Sequence, residues 1–152
     1  MEKKYKNLPY DETHKKIYGH WKSMRRRCNS KTFSRYKDYG GRGIKICKEW
    51  ENFENFYKWA IKNGFDVSKK QINQSLDRIN NNGNYEPNNC RWANIKTQNR
   101  NQRSNNLITY NNQTYCISEW AELYNINVKT LRTRIRKGWN IDRCLNQPIK
   151  RR

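Results

Sequence analysis

The stretch that decides the fold comprises Ser75-Leu76-Asp77-Arg78-Ile79, an Asn/Gly-rich loop, and Asn88-Asn89-Cys90-Arg91-Trp92. Short apolar runs beside turn-forming residues predict two strands, over residues 75–79 and 89–93. The next residues, 95–103, predict a polar helix. The sequence therefore indicates a strand, a loop, a second strand and a helix, in that order.

Upstream of this stretch, Thr13–Cys28 has the apolar spacing of a helix. Ile17, Trp21, Met24 and Cys28 follow one another at intervals of four, three and four residues, which places them on one helical face. Cations fill most of the remaining surface, at Lys15, Lys16, Lys22, Arg25, Arg26 and Arg27. An amphipathic basic helix is predicted here.

Between that helix and the central stretch, the sequence predicts a turn, a strand and another helix. Three glycines in residues 39–43 break the chain, and Ile44–Cys47 alternates as a short strand would. A helix is expected from Asn52, its cap, to a stop at Asn63-Gly64. Its apolar face is expected to contain Phe53, Phe56, Tyr57, Ala60 and Ile61.

A polar linker at Arg103–Asn106 predicts a boundary between two units, residues 1–104 and 107–152. After the linker, residues 107–110 and 113–117 alternate around Asn111-Asn112, which predicts a hairpin. The predicted fold class is α+β: a strand-strand-helix core with added helices, followed by a small C-terminal unit.

The C-terminal unit is expected to be a helix-turn-helix preceded by the hairpin. Ser118 would cap the first helix, with Trp120, Ala121 and Leu123 turned inward. A tight turn at residues 125–127 leads to a second helix, Val128–Lys137. Leu131 and Ile135 would pack that helix inward, leaving its cations outward.

Charge is the strongest indication of a partner. The chain of 152 residues carries 33 Lys and Arg against 13 Asp and Glu, a net charge of +20 and a pI near 10.0. This balance favours a polyanion, and nucleic acid is the expected one. The length excludes a large multidomain enzyme, and six Trp with ten Tyr predict a packed core rather than a basic tail.

The sequence also bears on compartment and redox state. No apolar run approaches the ~20 residues of a membrane span, and the start MEKKYKNLPYDE lacks a signal-peptide core, so no membrane partner and an intracellular protein are expected. Five cysteines in a reducing cytoplasm indicate thiols or metal ligands. Cys28, Cys47 and Cys90 could bind a structural zinc, but the absence of close-spaced pairs favours buried thiols.

Three segments of the chain together carry a resemblance to a known family: YGGRGIKICKEW, SLDRINNNGNYEPNNCRWANIKTQNRN and ITYNNQTYCISEWAELYNINVKTLRTRIRKGW. They are similar to bacteriophage HNH (His-Me finger, ββα-metal) homing endonucleases that end in a helix-turn-helix. The similarity covers roughly residues 14–148. It implies an HNH-like core, metal-dependent DNA nicking or cutting, and a location in the cytoplasm of a bacterial host cell.

The resemblance also implies roles for individual residues. Asp77 would be one metal ligand, Asn89 would orient the chemistry, and Asn99, or Asn101 on the same helix, would be the second ligand. Their oxygen donors suit Mg²⁺ or Mn²⁺. The chain departs from the family at Arg78, where a histidine is expected as general base.

A guanidinium is already a cation and cannot take a proton from water, so Arg78 would instead clamp the scissile phosphate. The structural alternative is an ion pair or strand-end bond of Asp77 and Arg78 that stiffens the loop. His14 and His20 are the remaining histidines, both far upstream. Folding could bring either of them back, although a place on the basic helix or the surface is the favoured interpretation.

Nucleic-acid contacts are expected from eight cations, with a solvated charged face as the alternative. They are Arg25, Arg26, Arg42, Lys129, Arg132, Arg134, Arg136 and Lys137. The sequence therefore predicts a double-stranded DNA-binding protein that could retain metal-dependent nicking. Two alternatives remain: a catalytically inactive DNA-binding regulator, and an anti-defence protein that binds a nucleic-acid-guided host complex.

Overall fold

The computed structural model describes residues 8, 10–70 and 73–148. The chain divides into two compact units, Met1–Asn99 and Arg100–Arg152. Each unit combines helices with a two-stranded antiparallel sheet, which confirms the predicted α+β class. The division lies just before the linker at which the sequence predicted it. Arg100 belongs to the second unit because it pairs with Glu122 and its carbonyl accepts a hydrogen bond from the Asn105 side chain.

The first helix, α1, is Glu12–Asn29, which confirms the helix predicted from the apolar spacing. The Asp11 side chain caps it by accepting a hydrogen bond from the His14 amide at 2.8 Å. Its four predicted apolar residues, Ile17, Trp21, Met24 and Cys28, are buried. The apolar face of α1 therefore forms one wall of the first unit's core.

The segment after α1 consists of short 3₁₀ turns, at Tyr36–Asp38, Gly40–Arg42 and Lys48–Glu51. The prediction of a strand at residues 44–47 is wrong, because in this segment only Ile46 pairs, through a single parallel β-bridge to Tyr85. Gly40 is required for packing: a Cβ there would lie 2.0 Å from the Cys28 carbonyl oxygen. The chain therefore crosses the end of α1 at backbone contact.

Helix α2, Phe53–Lys62, begins as predicted after Asn52, whose side chain accepts from the Glu54 amide at 2.9 Å. Its apolar face is buried, except that Ile61 is 45% exposed and does not belong to the core as expected. The core of the unit is an aromatic cluster in which α1, α2 and the strands meet. Its largest fully buried side chains are Trp50, Phe53, Phe56, Tyr85, Ile17 and Met24.

The predicted strand-strand-helix order is confirmed in the first unit. Strand β1, Ser75–Arg78, pairs antiparallel with β2, Cys90–Ala93, and helix α3, Ile95–Arg100, comes next. Side chains alternate between faces along a strand, so Ser75 and Asp77 share one face. Helix α3 reaches that face, since the Gln98 side chain hydrogen-bonds to the Ser75 hydroxyl.

The second unit opens with a hairpin of β3, Leu107–Tyr110, and β4, Gln113–Cys116. Its two turn residues, Asn111 and Asn112, have φ of 47° and 59°, the left-handed conformation that tight hairpins use. The predicted hairpin is therefore confirmed.

Three helices come after the hairpin: α4, Ile117–Leu123; α5, Val128–Arg136; and α6, Ile141–Asn146. Helix α4 begins two residues earlier than expected, after Cys116 rather than Ser118, because Cys116 and Glu119 form a capping box. Leu123 is 60% exposed, so its inward placement was wrong, whereas Trp120, Ala121 and Leu131 are buried. The helix-turn-helix order is confirmed.

Among the described residues, no helix combines the length and the apolar character that a membrane crossing needs.

Candidate nucleic-acid interface

Asp77, the expected metal ligand, is held in an ion pair. Its carboxylate accepts a hydrogen bond from Arg91 Nε at 3.0 Å, and the two residues are direct partners in the β1–β2 register. Asp77 is buried and Arg91 is half exposed. The sequence suggested the neighbouring Arg78 as the partner of Asp77, but strand alternation turns Arg78 to the other face of the sheet.

The residues do not fit a Mg²⁺ or Mn²⁺ ion as they stand. A divalent cation at the Asp77 carboxylate would lie within a few ångströms of the positive Arg91 guanidinium, which repels it. Asn99, the expected second ligand, lies exposed on α3. Within the described part of the chain, no three His, Cys, Asp or Glu side chains come together as metal ligands would.

Arg78 is enclosed in the first unit and is only 6% exposed. Its guanidinium lies 5.1 Å from the ring centroid of Tyr39 and 4.8 Å from that of Tyr85, and donates to the Gly83 carbonyl at 3.0 Å. This position corrects the expectation of a phosphate clamp, because a guanidinium covered by two aromatic rings is not presented to a ligand in solvent. Arg78 instead joins β1 to the loop and to the turn segment.

Asn89, the expected orienting residue, organises the loop between the strands. Its Oδ1 accepts from the Asn80 amide at 2.8 Å, and its Nδ2 donates to the carbonyls of Asn80 and Asn84 at 3.1 and 2.8 Å. Gly83 packs against this side chain so closely that a Cβ there would lie 2.6 Å from Nδ2. The Asn89 side chain therefore sets the path of the loop.

The three candidate zinc ligands are thiols in poor surroundings for a cation. Burial raises the pKa of Cys28 to about 11 and that of Cys90 to about 12, and burial also raises the pKa of Cys47. Zinc binds the thiolate, which a raised pKa disfavours. The charges of Arg78 and Arg27 lower the pKa of Cys28 by less than burial raises it, and they repel a cation placed at this thiol. Buried thiols remain the favoured interpretation.

The cations expected on α1 and in the glycine-rich turn have structural contacts. Arg25 donates to the Glu51 carbonyl at 3.1 Å, and the Arg26 guanidinium lies 4.4 Å from the Phe33 ring centroid. Arg42 donates to the Asn82 side chain at 2.5 Å, joining the turn to the inter-strand loop. These contacts hold the three guanidinium groups in defined positions on the first unit.

Helix α5 carries a stripe of exposed cations. Lys129, Arg132 and Arg136 are exposed and follow at intervals of three and four residues, so they share one face of the helix. Lys137, the residue after the helix, is also exposed. We call these four residues the α5 stripe. Its position matches the prediction that the cations face outward, with one exception.

The exception is Arg134, which is 7% exposed and faces inward. Its guanidinium donates to the Cys144 and Gln147 carbonyls at 2.7 Å each, and so connects α5 to α6 and to the residue after it. The prediction that Arg134 contacts nucleic acid is therefore wrong, and its role is structural.

Truncating Arg134 is expected to destabilise the second unit. Arg134→Ala leaves the buried Cys144 carbonyl without its donor and should lower the free energy of unfolding by about 2 kcal/mol. Urea unfolding of the full chain measures the change, with the exposed neighbour Arg132→Ala as control, expected within about 0.5 kcal/mol of wild type. Equal losses in the two variants would contradict the structural role.

His20, left open by the sequence, lies against the sheet of the first unit. Its ring centroid is 5.1 Å from that of Trp92 on β2 and 6.1 Å from that of Phe65. Burial, and secondarily the charge of Arg27, lowers the pKa of His20 from 6.5 to about 4. The imidazole is therefore neutral at neutral pH. In the sequence, His20 shares one row of the helix with Lys16, Ser23 and Arg27. This spacing could have identified it as a candidate site residue.

Comparison with protein families, curated proteins and solved structures finds no match to this chain.

Proposed function

We propose that this protein binds double-stranded DNA through the helix-turn-helix of its second unit. The observation that carries the proposal is the α5 stripe, an exposed cationic face on the second helix of the motif in a chain of net charge +20. The second helix of a helix-turn-helix is the one that enters the major groove. Lysine and arginine there contact phosphates, and arginine also reads guanine edges.

The geometry around α5 supports this use. A turn with Asn125 at φ 51° separates α4 from α5, and the Asn127 side chain caps α5 by accepting from the Lys129 amide at 2.9 Å. Arg132 and Arg136 also line a half-open cavity of about 410 Å³ together with Ser104, Asn105 and Asn106. Amide and hydroxyl groups beside two guanidiniums suit phosphate oxygens.

The strand-strand-helix part of the first unit acts, in this proposal, as a scaffold. The Asp77–Arg91 ion pair and the enclosed Arg78 support a structural role over a catalytic one. In this proposal, the protein is a relative of nicking enzymes that binds DNA. The competing function is metal-dependent nicking. The order of the elements and the resemblance of the sequence to HNH endonucleases favour it.

The binding test is the salt dependence of affinity for a short duplex. Neutralising about six phosphates gives a log-log slope near −5. The double variant Arg132→Ala/Arg136→Ala is expected to reduce that slope by about 2 and to weaken binding at least ~10-fold. The matched control is Lys58→Ala/Lys62→Ala, which removes the same charge from exposed positions on α2. Equal weakening in both doubles would mean that only net charge matters, and would refute the role of α5.

Two further measurements separate the alternatives. Nicking of supercoiled plasmid in Mg²⁺ or Mn²⁺ that disappears in Asp77→Ala would replace the scaffold interpretation with the endonuclease. Tight binding to a host ribonucleoprotein, with a salt slope near zero on bare duplex, would replace DNA binding with the anti-defence function.

A further inference from the structure

Two cavities adjoin each other along α1 in the first unit. One, of about 330 Å³, is bordered by Lys15, Lys69 and Gln74, and the other, of about 350 Å³, by Arg27, Ser75 and Gln98. Both are also lined by His20 and Ser23. We call the two together the α1 groove. All of its lining residues belong to the first unit.

The chemistry of the groove is that of an anion site. Its lining includes lysines at the first cavity and a guanidinium at the second, together with hydroxyl and amide groups, and neither cavity is lined by Asp or Glu among the described residues. Some of the charge is already engaged: Lys16 donates to the Val67 carbonyl at 2.8 Å, and Lys69 lies 3.8 Å from the Asp66 carboxylate. Arg27 donates to the Tyr85 hydroxyl at 3.4 Å, and the Lys15 ammonium lies 5.6 Å from the Tyr10 ring centroid. Neither contact is with a carboxylate, so both side chains add positive charge to the groove.

Gln74 supplies an independent sign of a ligand. The residue is only 4% exposed, and its amide nitrogen Nε2 is buried without a hydrogen-bond partner, while Oε1 accepts from the Asp66 amide at 3.2 Å. Buried donors are almost always satisfied in folded proteins, since leaving one unpaired is unfavourable. Gln74 lines the first cavity, so an acceptor oxygen bound there would complete this amide once the side chain rotates toward it.

We propose that the α1 groove binds the sugar-phosphate backbone of an unpaired nucleic-acid strand. The row from Lys16 to Arg27 covers roughly 16 Å of helix at ~1.5 Å per residue, which is long enough for more than one phosphate. Cavities of this size hold single nucleotides rather than a double helix. Phe65, which lines the first cavity, offers a ring on which a base can stack.

The groove extends the proposed function, because a protein that reads duplex DNA with α5 would also hold a single strand on its first unit. The inference rests on the proposed function in one respect only, namely that the bound phosphate belongs to a nucleic acid. The groove itself is defined by residues of the first unit and is tested without the α5 stripe.

Gly19 provides a direct test because it lies at the groove on an exposed part of α1. A Cβ built there meets no atom within 4 Å, so a side chain can leave the helix at this position without displacing a neighbour. Gly19→Leu is expected to raise the melting temperature, since leucine favours helix over glycine, and at the same time to obstruct the groove. Gly19→Ala shares the helix effect but adds only a methyl group.

The experiment measures the anisotropy of a fluorescein-labelled oligothymidylate, with a labelled duplex measured in parallel. Gly19→Leu is expected to weaken single-strand binding at least tenfold and Gly19→Ala by less than threefold, with duplex binding within twofold of wild type in both. Gln74→Met, which removes the unpaired donor, is expected to weaken single-strand binding as well. In wild type, bound strand should raise the pKa of His20, measured by NMR, because a nearby phosphate favours the imidazolium.

Unchanged single-strand affinity in Gly19→Leu would overturn the proposal. So would competition by inorganic phosphate or thymidine monophosphate as strong as by the strand itself, since the groove would then be a site for small phosphates. Failure of duplex binding with single-strand binding intact would remove the proposed function and leave the groove standing.

Discussion

Replacing Arg78 with alanine is expected to lower the free energy of unfolding of the first unit by about 4 kcal/mol. The substitution empties the space beside the rings of Tyr39 and Tyr85 and leaves the Gly83 carbonyl without its donor. Both losses occur in the interior, where neither water nor a neighbouring side chain replaces the guanidinium. Urea unfolding monitored by tryptophan fluorescence measures the effect.

Arg91→Ala is the matched control for that prediction. Arg91 lies on the adjoining strand and is half exposed, but its removal takes this partner from the buried Asp77 carboxylate, so it should cost about 2 kcal/mol, half the effect expected for Arg78→Ala. If Arg78→Ala proves as mild as Arg91→Ala and abolishes nicking of plasmid DNA, Arg78 serves chemistry and the structural role assigned to it is wrong.

Acidification from pH 6.5 to about pH 4 is expected to remove about 3 kcal/mol of stability through His20. The pKa of His20 is lowered in the folded state, so over this interval the unfolded chain binds a proton that the folded chain does not. The contribution of His20 to stability is therefore nearly complete above pH 6.5, falls as the pH falls, and levels off below the folded pKa. The cause is burial first and the charge of Arg27 second.

Urea unfolding of wild type and His20→Gln across this pH range measures the contribution. The variant lacks the imidazole, so its stability should vary less with pH, while the carboxylates common to both proteins cancel in the difference. Parallel pH dependences for the two proteins would show that His20 keeps an ordinary pKa and is not buried as the structure has it.

Much of the fold can be predicted from local sequence patterns. The apolar spacing of α1 and the Asn52 cap of α2 involve neighbouring residues, so the sequence alone reveals them. Residues 44–47 alternate like a strand but have no strand beside them, and a partner cannot be inferred from alternation. Ile61 and Leu123 lie in the last turns of their helices, where the core no longer covers the apolar face.

The site was harder to predict because its contacts are distant in sequence. Arg78 is enclosed by Tyr39 and Tyr85, and no local pattern links these three residues. Arg134 is a different case. It is three residues after Leu131, which is the spacing of the inward face, so helical periodicity indicated burial and the charge alone argued for an outward position.

The contacts of α1 also govern the order in which the first unit can assemble. The Trp21 indole donates to the Trp50 carbonyl, Lys16 to the Val67 carbonyl and Arg27 to the Tyr85 hydroxyl, across 29, 51 and 58 residues of chain. A ribosome releases α1 before the rest of the unit. The partners of α1 emerge later, one after another, and the last of them, Tyr85, emerges only with the strands. The nascent helix thus cannot complete these contacts until most of the unit has been synthesised, and contacts so distant in sequence are expected to slow folding.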